Sequence, residues 1–507
     1  MFDILSLVSA LKKQFKKTDI LIILGLLTLF FLTRLINLTN LPIFTDEAIY
    51  IHWARLAWKD ASWRFVSLTD GRQPFQTWAT IPFLKLFPDP LFAGRMFGVF
   101  SGLLALVGLF VLVYYLFGKK AAYLAALVYI LNPYYLFYDR MALVDSTVNG
   151  FFIWFVFFSL VLLKYPRLDL ALIFGMLAGL GTLTKSTVRL FFLPFLFGPL
   201  SYFGNKDWFK KTINYLVLII VSGGLTLVVY NIQRLSQFMH YIEQKNTTFV
   251  KTIPELLSNP LDPLFHNLRI IPYYFISESG YIIVLFGIFG LYLLFRKNRI
   301  LTIQLIMFFA VPFFIMAAMA KVVFPRYLIF LTIPFLLGFI YLWQKTKKKL
   351  ILLAVYFIPA LYLVGQVIFT PQYLPWPEID RGQYFEGASS GHGTLEIVNF
   401  LKNEEPKYEQ IYVFTEGTFG LLPYALDIYF PHDQPKVKFE ARWPLKDEDF
   451  VYAQELSAKY PVYFVFHERR EFPAFWQERL KLIKKYPRYK AKSFVYFFKY
   501  LPLANET

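Results

Sequence analysis

Long apolar stretches, nearly free of charge, recur from Ile20 to Thr370, and this pattern limits the possible folds more than any other feature of the chain. A helix needs roughly 20 apolar residues to cross about 30 Å of hydrocarbon. In lipid only helices and closed barrels satisfy their own backbone polar groups. These stretches are long and do not alternate as barrel strands must, so helices are expected. The spacing predicts about eleven spans: 20–37, 92–117, 121–136, 146–163, 168–184, 188–203, 212–231, 272–295, 300–319, 326–343 and 350–369. A composition that is 57% apolar and 20% aromatic fits a surface that faces lipid and its interfaces.

The net charge of +18 does not form the basic arm or face that a nucleic-acid partner requires, so no nucleic acid is expected. Much of it lies in short breaks between spans. With the N-terminus inside, the inner breaks hold the lysines of residues 12–17, Lys119 with Lys120, Lys164 with Arg167, Lys206 to Lys211, Arg296 to Arg299 and Lys345 to Lys349. The outer breaks are poorer, with Arg140, Lys185 and Arg189, and Lys321 with Arg326. This is the positive-inside pattern, and it places the C-terminal segment outside the cell membrane. The four lysines of residues 12–17 precede the first span with no small-residue cleavage site, which reads as an uncleaved anchor. There are no cysteines, so disulfides and thiolate metal sites are excluded.

Two outer loops are long. Residues 38–91 contain TDEAIYIHWARLAWKD and QPFQTWATIPFLKLF, which suit helices lying in the interface. Residues 232–271 form the other. After residue 370 the proline-rich run PQYLPWPE marks a linker. Beyond it QIYVFT, KVKFEA, PVYFVF and SFVYFF read as strands, alternating with helical patterns near 394–403, 418–429, 446–459 and 473–485. The expected architecture is a helical polytopic membrane domain, residues 1–370, followed by a small extracytoplasmic α/β domain, residues 371–507.

In so apolar a chain the ionisable residues at the outer span ends carry the information. They are Asp46, Glu47, Arg72, Asp139, Arg140, Asp145, Lys185, Arg189, Lys321 and Arg326. Two readings stand for them. In one, Thr45 caps the interfacial helix, Asp46, Glu47 and Asp145 complement helix dipoles, and Arg140 snorkels or pairs with Asp139. In the other, a carboxylate acts as general base on an acceptor while cations hold an anionic phosphate. His52, His240, His266 and His392 are scattered without metal-ligand spacing. Gly179 and Gly181 read as helix packing, and Asn246-Thr247-Thr248 matches a glycan-acceptor pattern common by chance.

The ordered set of Thr45-Asp46-Glu47, Tyr138-Asp139-Arg140 with Asp145, Thr184-Lys185 and Phe324-Pro325-Arg326-Tyr327 resembles the GT-C superfamily of membrane glycosyltransferases, in the branch of the protein O-mannosyltransferases and lipid A aminoarabinose transferases. The likeness covers roughly residues 20–345. It implies a polyprenyl-phosphate-linked sugar donor, inversion at the anomeric carbon, and a protein, lipid or glycan acceptor. Asp46 matches the catalytic carboxylate, Glu47 its partner, and Asp139 with Arg140 the second outer-loop motif. Arg72 stands where relatives carry a lysine that meets the lipid phosphate. Gly71 stands where the aminoarabinose transferases have a metal-binding glutamate, so no metal or other cofactor is expected. Asp145, Lys185, Arg189 and Arg326 complete the expected substrate-binding set. Glu416, after the strand QIYVFT, is a candidate ligand residue or a helix cap. The competing readings are a transporter or lipid-linked-sugar flippase, which clean spans with charges on one side argue against, and a non-catalytic scaffold.

Overall fold

The structure is a computed structural model, and it describes residues 16–467 and 472–502. Lys12 and Lys13, part of the expected inner anchor, lie outside the described residues. Among those described, seven helices are long and apolar enough to cross a membrane, and two further bent pairs bring the total to nine. The seven begin with Lys17–Leu35, Pro90–Phe117 and Asp145–Lys164, and end with Arg299–Met319, Pro325–Lys345 and Lys349–Phe369. Leu21, Ile220, Val228, Leu350 and Ile358 stand exposed on them, and such an apolar surface is stable only against lipid.

Nine is fewer than the eleven expected, and the expected spans that depart from a straight, full-length helix do so for local reasons. The stretch expected as one span over 272–295 breaks at Gly280, where Leu264–Ser279 and Tyr281–Lys297 meet at 106°. Gly280 has φ 90°, a left-handed conformation that ends the first helix. Helix Lys119–Ile130 likewise bends by 65° into Pro133–Asp139. Leu168–Thr182 is apolar but only 15 residues long. The expected span 188–203 is a 3₁₀ segment, Ser186–Tyr202, interrupted by Pro194 and Pro199, which cannot donate to an α-helical ladder.

The bundle closes tightly where Tyr281–Lys297 crosses the helix Ile333–Lys345. Gly287, Gly290 and Gly338 bring the two backbones into direct contact, and a Cβ on Gly290 would run into the Gly338 carbonyl. Ionic groups also sit inside the bundle. Arg34 and Asp139 are fully buried and pair at 3.0 Å.

The C-terminal domain is a five-stranded sheet in the order β2-β1-β3-β5-β4. Strands β1 (Ile411–Glu416), β2 (Val437–Arg442) and β3 (Val462–His467) are parallel, while β5 (Phe494–Tyr500) runs antiparallel to β3 and to β4 (Leu480–Pro487). Ile397, Val398 and Leu426 cover one face, and Phe450 and Trp476 the other. The expected helix over 473–485 is reduced to Ala474–Gln477, and from Leu480 onward that stretch is β4. Its exposed lysines, Lys481, Lys484 and Lys485, suit a protected sheet edge.

This domain sits on the helix Thr45–Lys59. Ile43, Ala48 and Ile51 pack with Leu421, Ala425 and Ile428. His52 stacks on Tyr424 at 4.0 Å and meets Asp427 at 2.9 Å. The glycine contact gives a clean test: Gly290→Val is expected to abolish recovery of monodisperse protein in detergent. Gly365→Ala, which has open space around its Cβ, is expected to leave recovery and melting temperature unchanged or slightly improved.

Candidate active site

One side of the bundle carries a cavity of about 620 Å³. It is lined by the helix Thr45–Lys59, the loop through Gly71 and Arg72, helix Tyr241–Phe249 and residues of the segment 383–389. Asp46, Arg72, Asp145, Lys185, Lys245 and Arg326 all reach it. Residues separated by up to 280 positions thus meet in one space.

Asp46 is the centre of the arrangement. Arg72 Nη2 donates to Oδ1 at 3.0 Å, and Arg326 Nη2 donates to Oδ2 at 3.0 Å. Burial alone would push this carboxyl up, but the guanidiniums of Arg72 and Arg326 outweigh it and hold Asp46 below the usual carboxylate range. Arg72 also donates from Nε to Asp70 at 2.9 Å, and its guanidinium lies 5.4 Å from the centre of the Tyr50 ring and 5.8 Å from that of Trp53. Lys245 Nζ reaches the other oxygen of Asp70 at 2.7 Å. Asp145 opens its helix and takes Lys185 Nζ at 3.0 Å, with Arg326 Nε 3.9 Å away. Lys185 also stands 3.6 Å over the Tyr327 ring.

Five sequence-predicted residues lie elsewhere. Glu47 is fully buried outside the cavity, where Arg95 binds it at 2.8 and 2.7 Å and the amides of Ala142 and Phe44 donate to it. Phe44, not Thr45, is the cap residue of this helix, with Glu47 bonded back to its amide. Asp139 pairs with Arg34, and Ser146 donates to it at 2.8 Å, so Arg140 is not its partner. Arg140 instead donates to the carbonyls of Thr33, Arg34, Ile36 and Asn37 at 2.8 to 3.0 Å, closing the C-terminal end of helix Lys17–Leu35. Arg189 lies over Tyr230 at 4.2 Å and does not line the cavity. Glu416 ends β1 and is not a lining residue either.

Gly71 has a steric role. It has φ 64°, and a Cβ there would collide with Tyr241 and Lys245. Helix Tyr241–Phe249 packs directly on its backbone, so the site has no room for a carboxylate like the metal-binding glutamate of the aminoarabinose transferases. Among the described residues no group of three or more histidine, aspartate or glutamate side chains could hold a metal.

Sequence reasoning missed Asp70, Lys245, Gln383 and Arg95. Asp70 lies two residues before Arg72, a spacing that was available as a signal. Lys245 and Gln383 sit in a long loop and a linker, where nothing in the sequence marks them.

A sequence model of the dolichyl-phosphate-mannose-protein mannosyltransferases matches residues 72–230. That is less than a third of the chain, and it includes Arg72, Asp145 and Lys185. No curated protein matches in sequence. Among solved structures, ArnT from Cupriavidus metallidurans in the apo state is similar at a TM-score of 0.60 and 12% identity, over 94% of this chain and 97% of that one. ArnT bound to undecaprenyl phosphate gives 0.59 and 13% over the same shares. The archaeal oligosaccharyltransferase AglB from Archaeoglobus fulgidus, in complex with an inhibitory peptide and a dolichol-phosphate, gives 0.51 and 11% over 89% of this chain and 69% of that one. The chain shares the fold of these solved structures, and its long apolar helices mark a multi-pass membrane protein.

The placement of Glu47 separates structure from chemistry. Glu47→Ala strands a buried Arg95 and is expected to cost about 3–5 kcal/mol, read as a sharp fall in melting temperature in detergent. Asp46→Asn is expected to melt nearer the parent, because the amide keeps an acceptor oxygen for one guanidinium and Arg72 stays partly solvated.

Proposed function

We propose that the chain is an inverting glycosyltransferase that moves a sugar from a polyprenyl-phosphate donor to a hydroxyl or amine of a protein, lipid or glycan acceptor. The observation that carries this reading is one carboxylate, Asp46, sharing a cavity with Arg72, Lys185 and Arg326. A base for the acceptor and cations for a phosphate are the two requirements of such a transfer.

In this reading Asp46 accepts the acceptor's proton while the acceptor oxygen or nitrogen attacks the anomeric carbon. The bond from that carbon to the phosphate oxygen breaks on the opposite face, and the electron pair leaves with the polyprenyl phosphate. A single displacement inverts the anomeric centre. Arg72 and Lys185 hold the phosphate and stabilise its growing charge. Arg72 gives up part of its bond to Asp46 as it does so, which makes Asp46 a better base once the donor is in place. Arginine in place of the relatives' lysine keeps the charge and adds a forked donor geometry. Asp145 orients Lys185 rather than meeting substrate. The reading draws support from the family match over Arg72 and Lys185 and from the likeness to ArnT bound to undecaprenyl phosphate.

The basic inner breaks support an N-terminus on the cytoplasmic side and a C-terminal domain outside it. Direct bonds between the Asp46 loop and residues 383–389 keep that domain and the cavity on one side whatever the number of spans. The transport alternative loses one argument and keeps another against it. Two spans are broken rather than clean, contrary to expectation, but the charges still converge on a one-sided cavity and not on a path through the bundle.

Asp46→Asn is expected to lower transfer from a polyprenyl phosphosugar by a factor on the order of 10²–10⁴ without loss of membrane insertion, assayed with detergent-purified protein. Retained turnover would reject Asp46 as the base. Because Asp46 is held below the usual carboxylate range, it stays ionised as pH falls through the acid range and protonates only below its usual value of about 3.9. The acid limb of kcat/KM is therefore expected below that pH. A limb near pH 6 would contradict the geometry.

A further inference from the structure

The two guanidiniums on Asp46 differ in role, and the C-terminal domain explains the difference. Arg72 belongs to the loop beside Asp46, whereas Arg326 sits at the start of the segment Pro325–Thr332 and is 5% exposed. Arg326 meets residues of the C-terminal segment: Nη1 donates to Gln383 Oε1 and, at 3.2 Å, to the Tyr384 hydroxyl. Its Nη2 is then left to face Asp46 Oδ2.

The same segment holds the carboxylate from the other side. Thr45, the residue before Asp46, donates both its amide and its hydroxyl to the Ser389 carbonyl at 3.0 Å. Phe44 bridges to Ser390, and the Tyr384 ring packs edge-on against Phe44 at 4.9 Å. Gly391 donates its amide to the Ile43 carbonyl at 2.8 Å. Every backbone step from Ile43 to Thr45 is thus fastened to residues 384–391.

We infer that Gln383 and Tyr384 are positioning residues, through which the C-terminal domain sets the Asp46–Arg326 pair in its working geometry. The domain is then part of the reaction centre rather than an appendage, and its linker segment is the wall that completes the site. Gln383 contributes an acceptor oxygen that fixes the fork of Arg326, and Tyr384 contributes both an acceptor and a ring that seats the Asp46 loop. This rests on the proposed transferase reading for its kinetic consequence, but the clamp itself is a structural statement that can be tested apart from turnover.

The experiment compares the full-length Gln383→Ala/Tyr384→Ala protein with the parent and with Gln383→Glu/Tyr384→Phe, which restores an acceptor oxygen and the ring. Hydrogen exchange over residues 43–48 is read first. It is expected to speed up about tenfold in the alanine variant and to return toward the parent in the conservative one, as for a segment that loses local protection. Unchanged exchange overturns the clamp whether or not the protein transfers sugar. With a polyprenyl phosphosugar donor, kcat is expected to fall by about 10²-fold, in the range that misplacement of a reacting group costs, while the donor KM stays within about twofold. Recovery of kcat in the conservative variant, at an unchanged melting temperature, supports positioning. A wild-type kcat in the alanine variant, or a loss that tracks a lower melting temperature and is not rescued, overturns it. Absence of turnover in the parent rejects the transferase reading and leaves the exchange result to decide the clamp.

Discussion

A carboxylate held between two guanidiniums organises this protein. Asp46 sits at the first turn of the helix Thr45–Lys59, Arg72 comes from the loop that follows, and Arg326 comes from a segment near the end of the membrane domain. Bringing Arg326 to Asp46 requires the bundle to close, and the glycine contacts between Tyr281–Lys297 and Ile333–Lys345 let it close at backbone distance. A carboxylate among cations is also the charge pattern a phosphate leaving group needs. The resting ion pairs keep the cations ordered in a part-buried cavity, where unpaired charges would be costly.

Around that centre the ionic groups divide by burial. Arg34 with Asp139, Arg95 with Glu47, and Arg140 on four carbonyls form buried networks that brace the cavity floor and the Asp46 helix. A Cβ on Gly102 would collide with the Asp139 carboxyl, so the Pro90–Phe117 helix passes directly over that pair. These groups are satisfied by fixed partners and have no lone pair or proton to offer a substrate. Asp46, Arg72, Lys185 and Lys245 remain partly open to the cavity, and a ligand can exchange for their present partners.

The membrane architecture, the α/β character of the C-terminal domain and the residues that converge on the cavity were legible because each leaves a direct mark: apolar length, alternating strand patterns, and charges that lipid does not tolerate without purpose. Glu47 shows where legibility ends. Neighbouring residues on a helix point about 100° apart, so of two adjacent acids only one can face the cavity. Which one depends on Arg95, a residue inside a later span that the sequence does not mark. The breaks at Gly280 and at two prolines in Ser186–Tyr202 were not legible, because they interrupt stretches whose hydropathy is uniform. Strand β4 was read as a helix because its lysines hide an edge-strand pattern behind a charged one. Gln383 and Tyr384 lie just past the proline-rich run PQYLPWPE, in a stretch that composition does not mark.

The central claim is that this cavity receives a polyprenyl phosphate through Arg72 and Lys185. A cryo-EM structure of the full-length protein with undecaprenyl phosphate tests it most directly. Phosphate density is expected within hydrogen-bond reach of Arg72 and Lys185, with the Arg72–Asp46 bond lengthened and Arg326 still on Asp46. Phosphate bound elsewhere on the bundle, with the Arg72–Asp46 pair intact and the cavity empty, would contradict it.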